Sequence, residues 1–229
     1  MSTSPGDWLL AIDTSTEQAA IALFDGQRLA ETMWPAGRDQ TVSLLDQIDH
    51  LLMLTKLAVA DLGAVGIAIG PGMFNGLRVG MSVAKGFALS ANLPLIGVPT
   101  LDAVVLPHAE CGLLIIGVLA AGRSRLLWAA GDHGQLGSPR NGTVEELVRG
   151  IEDAGSNVLV CGELTIEQRA VLGRSHLVRL SPLAGGTRRP GAVAELAWRR
   201  FLDRDFDDPV NLEPAYLHAA SPDKSLAKG

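Results

Sequence analysis

Two short segments of the chain carry residue types that can handle a phosphate. The first is Asp13, Thr14, Ser15 and Thr16, a carboxylate followed by three hydroxyls at the end of the apolar run Trp8 to Ile12. A carboxylate beside hydroxyls at a strand–turn corner can hold Mg²⁺ or meet a phosphoryl oxygen. The same residue types also build plain hairpin corners. The second segment is Gly70-Pro-Gly-Met-Phe-Asn-Gly-Leu-Arg-Val-Gly80, which joins an apolar strand to a helix. Its glycines allow a sharp turn that faces N–H groups toward an anion at the helix start. They equally allow two elements of one chain to pack closely. Asp13, Thr14, Gly70 and Gly72 are thus candidate nucleotide contacts, with both readings open.

The elements that must position these segments follow from pattern. Trp8–Asp13, Ala19–Phe24 and Arg28–Trp34 read as three antiparallel strands, with Asp25-Gly26 as a hairpin turn. A helix from about Thr41, capped by Asp39 or Thr41, carries a wide apolar stripe including Leu45, Ile48 and Leu52. The strand Ala64–Ile69, a helix over Leu77–Leu89, the strand Pro94–Gly97 and a helix capped by Thr100 complete the order βββαβαβα. From Leu113 a second block begins, with strands at Leu113–Ala120, Arg125–Ala130, Asn157–Cys161 and His176–Leu180. Its helices read as Thr143–Ala154, Thr165–Leu172 and Gly191–Leu202. This is a mixed α/β chain of two sequential subdomains meeting near residue 108.

Composition narrows the function classes. The 229 residues are 47% hydrophobic and 19% charged, enough for a substantial core. Nineteen Lys+Arg against 25 Asp+Glu give a net charge of −6, and no basic run exceeds Arg188-Arg189 or Arg199-Arg200. Strong binding to nucleic acid by this chain alone is therefore not expected. Cys111 and Cys161 lack CxxC spacing and read as reduced thiols. The opening Met1 to Asp7 has no basic n-region, and no apolar run reaches the roughly 20 residues that span a bilayer. A cytoplasmic protein away from membranes is expected. The five histidines show no HxxxH or HExxH spacing, and there is no GxSxG elbow, so no metal or protease site is visible.

A nucleotide-hydrolysing chain of this layout needs a matching acid in its second half. The corresponding hairpin, Leu119-Ala-Ala-Gly-Arg-Ser124, has no carboxylate. Asp132-His-Gly134 and Gly185-Gly-Thr187 read as turns. The chain is expected not to hydrolyse nucleotide by itself.

Gly72, Gly76, Gly80, Ala84 and Ala88 recur every fourth residue and form a ridge of small side chains. Such a ridge shortens the distance to a packed neighbour. A glycine inside a helix costs about 1 kcal/mol relative to alanine, which points to a steric requirement. The neighbour is either another element of this chain or a helix of another subunit, flanked by Leu77, Met81 and Phe87.

Leu10-Ala-Ile-Asp-Thr-Ser-Thr16, the glycine-rich segment to Gly80 and Ala84-Lys-Gly-Phe-Ala88 together resemble the TsaB (YeaZ) family. Gly97-Val-Pro-Thr-Leu-Asp-Ala103 resembles its next block and Glu213-Pro-Ala-Tyr-Leu217 its ending. The likeness is strong over residues 8–105 and thin beyond. That family is the non-catalytic subunit of the bacterial tRNA threonylcarbamoyladenosine machinery, once labelled glycoprotease-like. The resemblance implies an α/β, actin-like and sugar-kinase-like ATPase fold with subdomains 1–108 and 109–229. It implies no cofactor and a heterodimer with TsaD, the paralogue that holds the metal and transfers the threonylcarbamoyl group. TsaE, a P-loop ATPase, completes the complex, and tRNA is reached indirectly.

In the family the first two helices pair with those of TsaD. Carried over, the interface is Leu45, Ile48, Leu52, Gly76, Leu77, Gly80, Met81, Ala84 and Phe87. Gly80→Leu is then expected to weaken the heterodimer and spare the monomer, and the same helices would permit a homodimer when TsaD is absent. The chain departs from the family at Met73 and Asn75, where Ser and Thr are usual, at Gln40-Thr41 and at the acid-free hairpin around Ala120. The rival reading is an independent actin-like ATPase or small-molecule kinase using Asp13. A peptidase ranks lowest.

Overall fold

The structure, a computed structural model, describes residues 8–36, 40–122, 124–132 and 135–216. The opening seven residues, the alternative cap Asp39, Arg123, His133, Gly134, and residues from Leu217 onward, His218 among them, lie outside that set.

The first half forms β1 (Trp8–Asp13), β2 (Gln18–Phe24), β3 (Leu29–Pro35), α1 (Gln40–Thr55), β4 (Leu62–Gly70), α2 (Phe74–Ser90), β5 (Leu95–Pro99) and α3 (Thr100–Val105). The second half forms β6 (Leu114–Ala120), β7 (Leu126–Asp132), β8 (Gln135–Leu136), β9 (Arg140–Gly142), α4 (Val144–Ala154), β10 (Val158–Gly162), α5 (Ile166–Leu172), β11 (Val178–Leu180) and α6 (Pro190–Leu202). The short strands β8 and β9 were not anticipated from the pattern.

Each half builds one sheet on the same plan. In the first, the order is β3-β2-β1-β4-β5, with β1 antiparallel to β2 and parallel to β4. In the second, it is β11-β10-β6-β7-β8, with β6 antiparallel to β7 and parallel to β10. The strand that opens each half is thus central. Being covered on both faces, it reads as an unbroken apolar run rather than an alternating one.

β1 demonstrates the layering. Trp8, Leu10 and Ile12 face a core shared with Leu44, Ile48 and Leu52 of α1 and Met81 and Ala84 of α2. Leu9 and Ala11, on the other face, meet Ala192, Val193, Ala194 and Ala197 of α6. Although α6 lies late in the chain, its alanine-rich face lies flat on the first sheet. The second sheet buries Ile116, Val118, Val158 and Val160 against α4 and α5. Its opposite face, with Ile115, Leu119 and Leu127, packs on Leu101, Val104 and Val105 of α3.

Local chemistry fixes several boundaries. Thr143 and Thr165 cap α4 and α5 reciprocally with Glu146 and Gln168. α2 starts at Phe74, a turn earlier than the pattern suggests, because the Leu77 N–H already bonds to the Met73 carbonyl at 3.0 Å. Thr100 is not a cap: Pro99 holds that position, and the Thr100 hydroxyl accepts the Gly70 N–H at 3.0 Å. Among the described residues, no helix is long and apolar enough to cross a membrane.

Candidate functional site

The four residues after β1 are all buried, with Asp13, Thr14, Ser15 and Thr16 each 3% exposed or less. Asp13 turns the chain on itself, accepting the Ser15 N–H at 2.9 Å and the Ser15 hydroxyl at 2.6 Å on one carboxylate oxygen. Its other oxygen pairs with the guanidinium of Arg188. That side chain also donates to Ser15 Oγ at 3.0 Å, Thr16 Oγ1 at 2.6 Å and the Gln18 carbonyl at 2.8 Å. Its Nε donates to Glu163 Oε1 at 3.0 Å, and Thr16 Oγ1 donates to the same oxygen at 2.9 Å.

Arg188 therefore occupies the centre where the ends of β1 and β10 converge. Burial disfavours its charge, but the carboxylates of Asp13 and Glu163 outweigh this and hold its pKa above the usual arginine value. The guanidinium is a fixed cation satisfied by the protein itself. A metal–phosphate group entering here would have to displace it.

The glycine-rich turn is filled in the same way. The Gly70 N–H is taken by Thr100, and the Met73 N–H donates to the Ser15 carbonyl at 2.7 Å. A Cβ on Gly72 would collide with that Ser15 carbonyl, and one on Gly80 would collide with the Thr14 hydroxyl. Thr14 Oγ1 donates to the Gly76 carbonyl at 2.7 Å. Of the two readings open in the sequence, close packing within the chain is present: the turn seats the β1 corner.

The expected interface residues divide. Ile48, Leu52, Leu77, Met81 and Ala84 are in the core of this chain, and Gly76 and Gly80 are buried against the β1 corner. The small-residue ridge is thus packed internally. Leu45 is exposed and Phe87 half-buried. The surface of α1 presents Val42, Leu45, Met53 and Leu54, and α2 ends with Leu89 outward. Arg78 stands over the ring of Phe74 at 4.7 Å, and Phe74 in turn lies 5.0 Å from the ring of Tyr216.

Sequence reasoning missed Glu163 and Arg188. Glu163 had a readable signal, since it follows the apolar run of β10 much as Asp13 ends β1. Gly162 at φ 116° brings the chain into the turn that places it. Arg188 had none, because its partner Asp13 is 175 positions away. Beside this centre, Gly72, Met73 and Phe74 face Ala120, Ala121, Leu127, Asn141 and Tyr216 across a cleft of about 390 Å³. None of those lining side chains is charged, and the Asn141 side-chain oxygen is held by Arg125 at 2.8 Å. Among the described residues, no group of three His, Cys, Asp or Glu side chains is placed to hold a metal.

Two sheets of one topology, meeting at their strand ends around a polar centre, define an actin-like ATPase fold in which a protein cation fills that centre. A Bacteroides thetaiotaomicron protein with an actin-like ATPase fold superposes with a TM-score of 0.51 at 7% identity, over 82% of this chain and 95% of that one. YeaZ from Pseudomonas aeruginosa superposes with a TM-score of 0.73 at 21% identity, over 92% of this chain and all of that one.

The family model described as TsaD, tRNA N6-adenosine threonylcarbamoyltransferase, matches residues 35–180, and the chain belongs to that family, in its TsaB (YeaZ) branch. The tRNA threonylcarbamoyladenosine biosynthesis protein TsaB of Escherichia coli is 37% identical over 93 residues, 41% of this chain and 40% of that protein. The match spans less than half the length of these curated relatives.

Proposed function

We propose that this chain is a non-catalytic subunit of tRNA threonylcarbamoyladenosine biosynthesis that binds and stabilises TsaD. TsaE joins the assembly, and tRNA is reached only through it. The observation that carries the partner reading is the outward face of α1. Val42, Leu45, Met53 and Leu54 are 46–64% exposed along one helix, apolar side chains that water disfavours, interspersed with the exposed Asp46, Asp49 and His50. The family resemblance pairs this helix and α2 with TsaD.

The non-catalytic half of the reading is supported by Arg188. An independent ATPase or kinase needs Asp13 free to meet a metal or phosphate, whereas here Asp13 is buried and paired. The interface on this reading is the outer surface of α1 and α2, with Leu45 and Phe87 retained from the expected set. Without TsaD, the same surface serves a homodimer.

Light scattering after gel filtration of the chain mixed with TsaD from the same organism tests this. A one-to-one complex is the expected result. Two separate peaks, each protein folded, would overturn it.

A further inference from the structure

The two sheets are joined by contacts of opposite chemistry. On one side is an apolar layer in which Leu101, Val104 and Val105 of α3 pack on Ile115, Leu119, Leu127 and Cys161 of the second sheet. Such a layer is non-directional and tolerates small rotations. The other contact is polar and directional. Glu163, at the end of β10, reaches across to Thr16 at 2.9 Å and to Arg188 at 3.0 Å. Arg188 itself belongs to the first body: it stands two residues before α6, which packs on the first sheet, and it is tied to Asp13, Ser15, Thr16 and Gln18.

The geometry points to a built-in clasp: Glu163 gripping Thr16 and Arg188 fixes the angle between the two sheets, so that the width of the cleft is set by the protein's own ion pair and not by a ligand. The chain passes between the bodies at two places, from α3 into β6 and from β11 into α6. A double crossing of this kind permits hinge movement about the apolar layer once the directional bonds are removed. Arg188 acts as the fixed pin, held in orientation by four partners on its own side. Glu163 is the arm, about a quarter exposed, whose loss leaves Arg188 still paired with Asp13. Opening at this arm does not strand a buried charge.

The clasp can be read directly as a distance. Spin labels on Gln27→Cys in the β2–β3 turn and Glu152→Cys on α4 report on the two bodies, since both positions are exposed. Cys111→Ser removes the exposed native thiol. Cys161 stays unlabelled because it is buried, and that burial raises its thiol above the usual cysteine range.

Double electron–electron resonance on the full chain should give one narrow distance that Mg²⁺ and ATP do not move. Glu163→Ala should broaden that distribution and add longer distances while circular dichroism is unchanged. Glu163→Gln keeps an oxygen that accepts from Thr16 and should broaden it less, and it also serves as the reading if the alanine variant fails to fold. A folded Glu163 variant with the distribution of the parent would overturn the clasp. So would a parent chain whose distance shifts on adding Mg²⁺ and ATP. Neither readout involves TsaD, so the result is independent of the partner reading.

Discussion

The inner and outer surfaces of the α1–α2 pair carry small and large apolar residues respectively, to different ends. On the inside, Gly76, Gly80 and Ala84 bring α2 so close to the β1 corner that a methyl group at Gly80 has no room beside Thr14. On the outside, Val42, Leu45, Met53 and Leu54 of α1 are 46–64% exposed, among the exposed Asp46, Asp49 and His50. A ridge of small residues marks where a close approach happens within this chain. On the proposed function, the interface lies on the other face of the same helices.

Substitutions sharpen this contrast by separating stability from association. Gly80→Leu sits at the tightest point, so its effect on the monomer should be the largest. The side chain must displace Thr14 and Ile67, and a loss above about 4 kcal/mol, or failure to fold, is expected in a denaturant titration. This reverses the expectation that the variant spares the monomer. A Gly80→Leu protein as stable as the parent would undo the assignment of the ridge to internal packing.

Asp13→Ala comes next. It leaves Arg188 buried with only Glu163 as a counter-charge and removes the acceptor for the Ser15 N–H and hydroxyl. Breaking a buried pair from one side should cost about 3 kcal/mol in the same titration. Calorimetry with Mg²⁺ and ATP should give no heat for either parent or variant. Heat from the parent that the variant lacks would restore the ATPase reading.

Much of the first sheet was legible because its central strand is a six-residue apolar run and its turns carry Asp-Gly and Gly-Pro-Gly. The polar centre was only half legible. Asp13 to Thr16 announced themselves by type and spacing, but what they bind is set by Arg188, whose approach depends on α6 returning to the first sheet. No local pattern encodes a contact between positions 13 and 188. The alanines of α6 were a weak hint, since a small-residue helix packs closely on a flat sheet, yet they do not say which sheet. Likewise the repeat at every fourth residue fixed the closeness of an approach and left its direction open. The two sheets share a topology, but their sequences diverge where Asp13 ends β1 and Ala120 ends β6, so the second corner lacks the carboxylate of the first.

Thr14→Val tests the seam more gently. The swap preserves shape but deletes the hydrogen bond to the Gly76 carbonyl, which is buried within the first turn of α2. A cost of about 1 kcal/mol is expected, since one buried hydrogen bond is lost while the Gly76 carbonyl keeps its helical partner. The midpoint of urea unfolding should fall with no change in slope. An unchanged midpoint would mean that the closeness of α2 to β1 rests on shape alone.

Leu45→Glu should have the smallest effect on the monomer and so discriminates most sharply between the two surfaces. The side chain is 46% exposed on α1, where a glutamate remains solvated and retains good helix propensity, so stability should stay within about 0.5 kcal/mol of the parent. Association is a different matter. If the outer face of α1 docks on TsaD through Leu45, a third carboxylate beside Asp46 and Asp49 must be desolvated without a partner, and the mixed complex should weaken in gel filtration. The paired readout matters because destabilised monomers also lose complexes: a variant that keeps its unfolding midpoint and loses its partner has been altered at a surface. A Leu45→Glu protein that retains both would move the docking site elsewhere, and the apolar side chains of α1 would then need another occupant.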